Sequence, residues 1–192
     1  MQTIWRRIER WLRDNAPQVL GTLNPGATME QIEEIETALA VALPSDMKES
    51  YRIHNGQSVN PVDGSVFGLI DGCEVLSLES LVEVWAGWKQ LLEQGTFKGI
   101  QSEPSGPVQP LWWSNLWVPV TDDGHGNNYC VDLNPAPGGS VGQIISVLHD
   151  DPHRTVLAPS FRHWLGGFAN GLESGLYMFL EDYGGIMKKE DL

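Results

Sequence analysis

Apolar residues recur at helical spacing in several stretches of the chain and crowd into short β-like runs between them. Ile4, Trp5, Ile8, Trp11 and Leu12 share one face of the opening segment, with Arg6, Arg7, Arg10 and Arg13 mostly on the other. That spacing predicts an amphipathic helix ending before Pro17. Ile32, Ile35 and Leu39 form the next stripe, Thr28 followed by Gln31 has the form of a capping box, and Pro44 is expected to stop the helix. "PSDMKESYRIHNGQ" reads as a third, short helix. Ser45 or Asp46 starts it, His54 sits in its last turn against the helix dipole, and Asn55-Gly56 closes it. "SLESLVEVWAGWKQLLEQG" puts Leu78, Leu81, Val82, Trp85, Trp88 and Leu92 on one side, with Ser77 as cap and Gly95 beyond the end. A final helix carries Phe161, Trp164, Leu165, Phe168 and Leu172 behind a Ser160 cap.

Between these helices the period changes. "SVFGLIDGCEVLSL" predicts two short strands around a turn at Asp71-Gly72. "LWWSNLWVPVT", "NNYCVDL" and "VGQIISVLH" form β-like runs separated by "DDGHGN" and "NPAPGGS", which is the pattern of an antiparallel meander. "TFKGIQSEPSGPVQP" has the glycine, proline and serine content of a loop. "LYMFLEDYGG" either extends the last helix or forms a short final element, and the tail "MKKEDL" is expected to fray. The fold class expected is therefore α+β: a central, mostly antiparallel twisted sheet with helices packed at the N-terminus, between strands and at the C-terminus. One domain over residues 1–192 suits this length.

Charge sharpens the picture. The chain carries a net charge of −13, and residues 53–153 hold twelve acidic residues against Lys89 and Lys98 alone. A field of that sign repels phosphate backbones and attracts basic partners, which argues against direct nucleic-acid binding. Cys73 and Cys130 fit no zinc or redox spacing, no signal peptide is expected, and no apolar run is long enough to span a bilayer. A cytoplasmic protein without membrane contact is the expectation.

The densest polar stretch, "TDDGHGNNYCVD" at 121–132, asks whether this chain does chemistry. From Asp122 the sixth position of a calcium loop would be Asn127 where glycine is needed, so an EF-hand fails. His125 with Cys130 is half a zinc site at best. "HDDPH", with His149, Asp150, Asp151 and His153, is a second polar cluster that reads as a loop turned by Pro152. The glycine-rich turn "GGSVG" at 138–142 lacks the lysine and following helix of a phosphate loop, His54 has no nucleophile or second base beside it in sequence, and His163 shows no partner. A hairpin accounts for 121–132 better: Gly124 and Gly126 allow the reversal, and Asp122 and Asp123 cap exposed N–H groups.

The order and spacing of these segments resemble a known family. "PGATMEQIEEIETALAVALPSDMKESYRIHNGQ" (25–57), "VFGLIDGCEVLSLESLVEVW" (66–85) and the meander from Trp117 to Val147 are similar to the motifs of the SUKH superfamily. Asn55 and Gly56 match the first motif; Pro119, Asp122, Gly124, Asp132, Pro135 and Gly142 match the last. The resemblance covers roughly residues 4–170 as the core of the domain. The resemblance implies an α+β protein without enzymatic activity, cofactor or metal, whose bacterial relatives neutralise toxins and whose fungal relatives regulate cell-wall assembly. Because the chain lacks the long flanks usual in fungal members, a bacterial immunity protein binding a basic toxin domain, such as a nuclease, is the leading expectation. A regulatory scaffold in cell-wall assembly is the alternative, and a metal-dependent enzyme using His125, His149 and His153 the third. Candidate partner contacts are Asp122, Asp123, Asp132, Asp150 and Asp151, with Trp112 or Trp113 as an aromatic anchor. Which tryptophan faces outward, and the oligomeric state, stay open.

Overall fold

The computed structural model describes residues 1–59 and 66–191. Ser65 of the expected strand pair, Asp63 of the acidic stretch and Leu192 of the tail lie outside them. Helix α1, Gln2–Asn15, buries Trp5, Ile8 and Leu12, as its apolar stripe predicts, and a single further turn, α2, Pro17–Leu20, begins on the proline that ends it. In α3, Met29–Leu39, the capping box is formed: Gln31 N donates to Thr28 Oγ1 and Thr28 N to Gln31 Oε1. This helix stops at a left-handed Ala40 rather than at Pro44, which instead precedes α4, Ser45–Tyr51. Helices α5, Leu78–Glu93, and α6, Phe161–Glu173, start on the expected Ser77 and Ser160 caps.

The strands are β1, Glu74–Val75; β2, Glu103–Ser105; β3, Trp117–Pro119; β4, Thr121–Asp122; β5, Asn128–Asp132; β6, Gln143–Val147; β7, His153–Ala158; β8, Tyr177–Leu180; and β9, Gly185–Lys188. Five form the central sheet in the order β2-β7-β6-β5-β3, antiparallel except for the β2–β7 pair. The chain is thus α+β with a mostly antiparallel sheet. Both faces of that sheet are covered. Asn128, Cys130 and Asp132 alternate toward α5 and its aromatic cluster, where Trp88 Nε1 donates to Asn128 Oδ1. Tyr129 points the other way and meets Trp164 of α6 edge-to-face at 6.2 Å.

Several expectations need correction. His153–Ala158 is a full strand, not a loop leading into α6, and Glu103–Ser105 pairs with it although its composition reads as a loop. Residues 111–116 are not a strand, so side-chain alternation does not decide the direction of Trp112 and Trp113. Asn55-Gly56 does not close α4. Asn55 Oδ1 instead accepts from Leu78 N at the start of α5, and Gly56 (φ 63°) lies so close to the Leu76–Ser77 backbone that a Cβ would fall 2.4 Å from it. His54 lies past the end of α4, accordingly not in its last turn. The ring bridges Glu9 Oε1 (2.9 Å) and the Asn24 carbonyl (3.0 Å). The C-terminal segment is not frayed through Lys188, because β8 and β9 pair in register and Gly185 bridges Gly68.

Candidate functional site

Two strands too short to stand alone bring the acidic residues together. β1 and β4 pair antiparallel with Glu74 directly opposite Asp122 and Val75 opposite Thr121. Two carboxylates of like charge therefore face each other, an arrangement that disfavours pairing. Partial burial holds both above the ordinary carboxylate range, reinforced for Glu74 by Asp122 and for Asp122 by Asp123. Cys73, next to Glu74, has its thiol pushed up to about 12 by burial and by Asp123, Asp71 and Asp122.

The hairpin loop that follows is built by its own polar side chains. Asp122 Oδ1 accepts from Gly124 N at 2.8 Å; Asp123 Oδ1 accepts from His125 N and Asn127 N, and its Oδ2 from Asn127 Nδ2 at 2.7 Å. Gly124 (φ 77°) and Gly126 (φ 96°) supply the left-handed positions. Although burial works against it, Asp123 lies below its usual range because of the hydrogen bonds from His125 and Asn127. The aspartates thus cap the turn and still present charge at its rim.

Beside this ribbon lies a cleft of about 210 Å³ between the Asp71 turn, β5, β7, α6, β8 and β9. Asp71 has φ 51° and precedes Gly72 at φ 74°, so the predicted turn at 71–72 is present. Tyr129 Oη donates to Asp71 Oδ2 at 2.9 Å, while Oδ1 is buried without a hydrogen bond and faces Lys188 Nζ at 3.6 Å. Among Asp71, Glu74, Asp122 and Asp123, this is the only ion pair to a lysine or arginine among the described residues. Sequence reading missed the cleft because its members lie on six separate elements. Asp71-Gly72, recognised only as a turn, was the one local signal.

The other candidates are dispersed. Asp132 is fully buried: Oδ1 accepts from Asn134 N and Oδ2 from Gln143 Nε2, and burial raises its pKa. It ties the 134–142 loop to the sheet and is not a surface contact, which corrects the expectation for it. Trp113 is likewise ruled out as an anchor, since it is buried, stacked on Trp88 at 4.8 Å and edge-on to Trp117. Trp112 is half-buried, and its ring covers the Arg154 guanidinium at 5.1 Å. Asp150 is exposed; Asp151 Oδ1 accepts from His153 N. Of the family-motif positions, Pro119 is buried opposite Cys130 on the edge strand β3, and Pro135 accepts from Gln109 Nε2 through its carbonyl. Gly142 (φ 91°) donates its N–H to the Asp132 carbonyl.

The histidines do not meet one another. His125 is exposed and turned onto the Asp123 carbonyl, His149 contacts Asn127, His153 contacts Asp151, and His163 contacts Ser160. Among the described residues no group of three or more His, Cys, Asp or Glu side chains is placed to hold a metal ion, and no helix is long and apolar enough to cross a membrane.

Comparison with known proteins gives this arrangement a context. A glucan synthesis regulatory protein of Neurospora crassa is 28% identical over 220 residues, covering 97% of this chain and 41% of its own length. The cell wall biosynthesis/cell cycle regulator smi1 of Schizosaccharomyces pombe is 31% identical over 190 residues, with 93% of this chain and 37% of the relative covered. The cell wall assembly regulator SMI1 of Saccharomyces cerevisiae is 27% identical over 209 residues, with 93% and 41% covered. The chain thus spans about two fifths of the length of these relatives. A model of the SMI1 / KNR4 family (SUKH-1) matches residues 26–167, and the chain belongs to that family.

Proposed function

We propose that the chain is a non-catalytic, protein-binding regulatory module of the kind that works in fungal cell-wall assembly. The observation that carries this reading is the alignment of more than nine tenths of the chain with proteins named as regulators of glucan synthesis and cell-wall assembly. Those names favour the regulatory reading over toxin neutralisation, reversing the order expected from the sequence. The acidic ribbon supports a binding role: Glu74 and Asp122 are held opposite each other at a cost in sheet stability, and a basic segment laid across them would relieve it.

The test is a chimera in which this chain replaces the matching segment of the Schizosaccharomyces pombe relative in cells lacking that protein. Growth on a glucan-synthase inhibitor should be restored by the chimera and lost when Glu74→Lys and Asp122→Lys are introduced at unchanged protein level. A stably expressed chimera that fails to restore growth, or ribbon variants that restore it fully, would count against the reading.

A further inference from the structure

We propose that the cleft beside the acidic ribbon receives one arginine or lysine side chain of the partner's basic segment, with Asp71 as its counter-ion. The inference rests on the binding role proposed above and specifies its chemistry.

The volume limits the occupant first. About 210 Å³ lies below the ~300–1,000 Å³ of pockets that enclose whole small-molecule ligands, and suits a single side chain. The charge comes next. Asp71 is fixed in a left-handed turn and held by Tyr129 Oη, which leaves Oδ1 buried and without a hydrogen bond. Lys188 Nζ, at 3.6 Å, is beyond the 2.7–2.9 Å of a charge-assisted hydrogen bond, so the carboxylate still has acceptor capacity. The walls include Tyr129 and Trp164, whose rings favour a cation, and Leu157, 42% exposed, offers apolar surface to an aliphatic stem. His163 and Lys188 also line the cleft, but an anion would have to sit against Asp71 in a chain of net charge −13.

Gly167 provides an independent reason to regard the cleft as a receptor. It lies inside α6, where glycine is less favourable than alanine, and a Cβ there would meet nothing within 4 Å. The packing of this chain does not require a glycine at that position. Gly167 does, however, line the cleft, and a methyl group there would project into the space an incoming side chain needs.

The experiment is an NMR titration of the full chain with N-acetyl-arginine amide, its neutral isostere N-acetyl-citrulline amide, and N-acetyl-glutamate. Arginine amide should give saturable shifts at the Trp164 indole and the Gly167 amide, and the other two should not. Asp71→Asn keeps a residue type that tolerates the left-handed turn and should weaken binding by about tenfold or more. Gly167→Ala should raise the melting temperature while abolishing the shifts. Lys188→Gln, which removes the competing ammonium, should tighten binding. Equal shifts with citrulline, preference for glutamate, absence of saturable shifts with arginine, or undiminished binding by Gly167→Ala would each overturn the inference. In the chimera assay, loss of growth with the ribbon lysines but full growth with Gly167→Ala would reject the cleft and leave the regulatory reading standing.

Discussion

Arg154 has no exposed surface, and carbonyl oxygens, not a carboxylate, are hydrogen-bonded to its charge. Nη1 donates to the Asp151 and His153 carbonyls, Nη2 donates to the Trp112 carbonyl, and the Trp112 ring covers the guanidinium. One side chain therefore joins the end of β7 to the irregular 111–116 segment. The fork geometry makes this possible, because a single ammonium does not span acceptors on two sides. Arg154→Met should lower stability by about 2–4 kcal/mol, since it leaves several buried acceptors unpaired, and Arg154→Lys should recover little of that. Urea unfolding of the two variants measures it; a lysine variant as stable as the parent would refute the account. Sequence reading could not find this role. An arginine in "HDDPHRTVLA" looks like a surface residue until the tryptophan it serves is known to leave the strand pattern.

At the scale of the element, legibility followed local chemistry. Helices with a serine or threonine cap and a clean stripe were readable, because Thr28, Ser77 and Ser160 act on backbone groups a few residues away. β7 was missed because its inward positions hold Arg154, Val156 and Ala158 while Leu157 faces out, which inverts the usual alternation. Asn55 and Gly56 were recognised as special but given the wrong element: the Leu76–Leu78 backbone they meet lies 20 to 23 residues ahead, at and just before the start of α5. Gly56→Ala tests this. It combines a left-handed φ with a Cβ inside the Leu76–Ser77 backbone, so it should unfold the chain or lower its stability by more than the ~1 kcal/mol expected of glycine in an ordinary turn. Circular dichroism during thermal unfolding reads the difference, and a parent-like melting temperature would show that α5 can move away. The hairpin at Asp122-Asp123 and the turn at Asp71-Gly72 were legible, but their assembly into ribbon and cleft was not, because the pairing of Glu74 with Asp122 depends on residues nearly 50 positions apart.

The whole molecule should respond to pH through the partly buried Glu74 and Asp122, with the buried Asp132 acting in the same sense. Glu74 and Asp122 have folded pKa values above their ordinary 4.5 and 3.8, so the folded chain binds these protons more tightly than the unfolded one. Their contribution disfavours folding at neutral pH, and this penalty fades as pH falls through the raised folded values toward the ordinary ones. Glu49 and Glu173, held low by hydrogen bonds from Arg162 and Arg7, act in the opposite sense, their contribution being lost as pH falls from the ordinary 4.5 through their lowered folded values. Glu74→Gln should therefore raise stability at pH 7 by a few tenths to about 1 kcal/mol and should flatten the gain on mild acidification. Stability curves of parent and variant at several pH values decide it, and parallel profiles would mean that folding does not raise the Glu74 carboxyl.

Pro104 occupies the middle of β2, the outermost strand on one side of the central sheet. Glu103 N–H points inward to the Pro152 carbonyl, so the ring nitrogen of the next residue is turned to the outside, where it offers no hydrogen to a neighbour. A foreign strand arriving at this margin would find a three-residue landing with its central donor missing. The proline that hid β2 from a reader of the sequence also discourages molecules from stacking edge to edge at this margin.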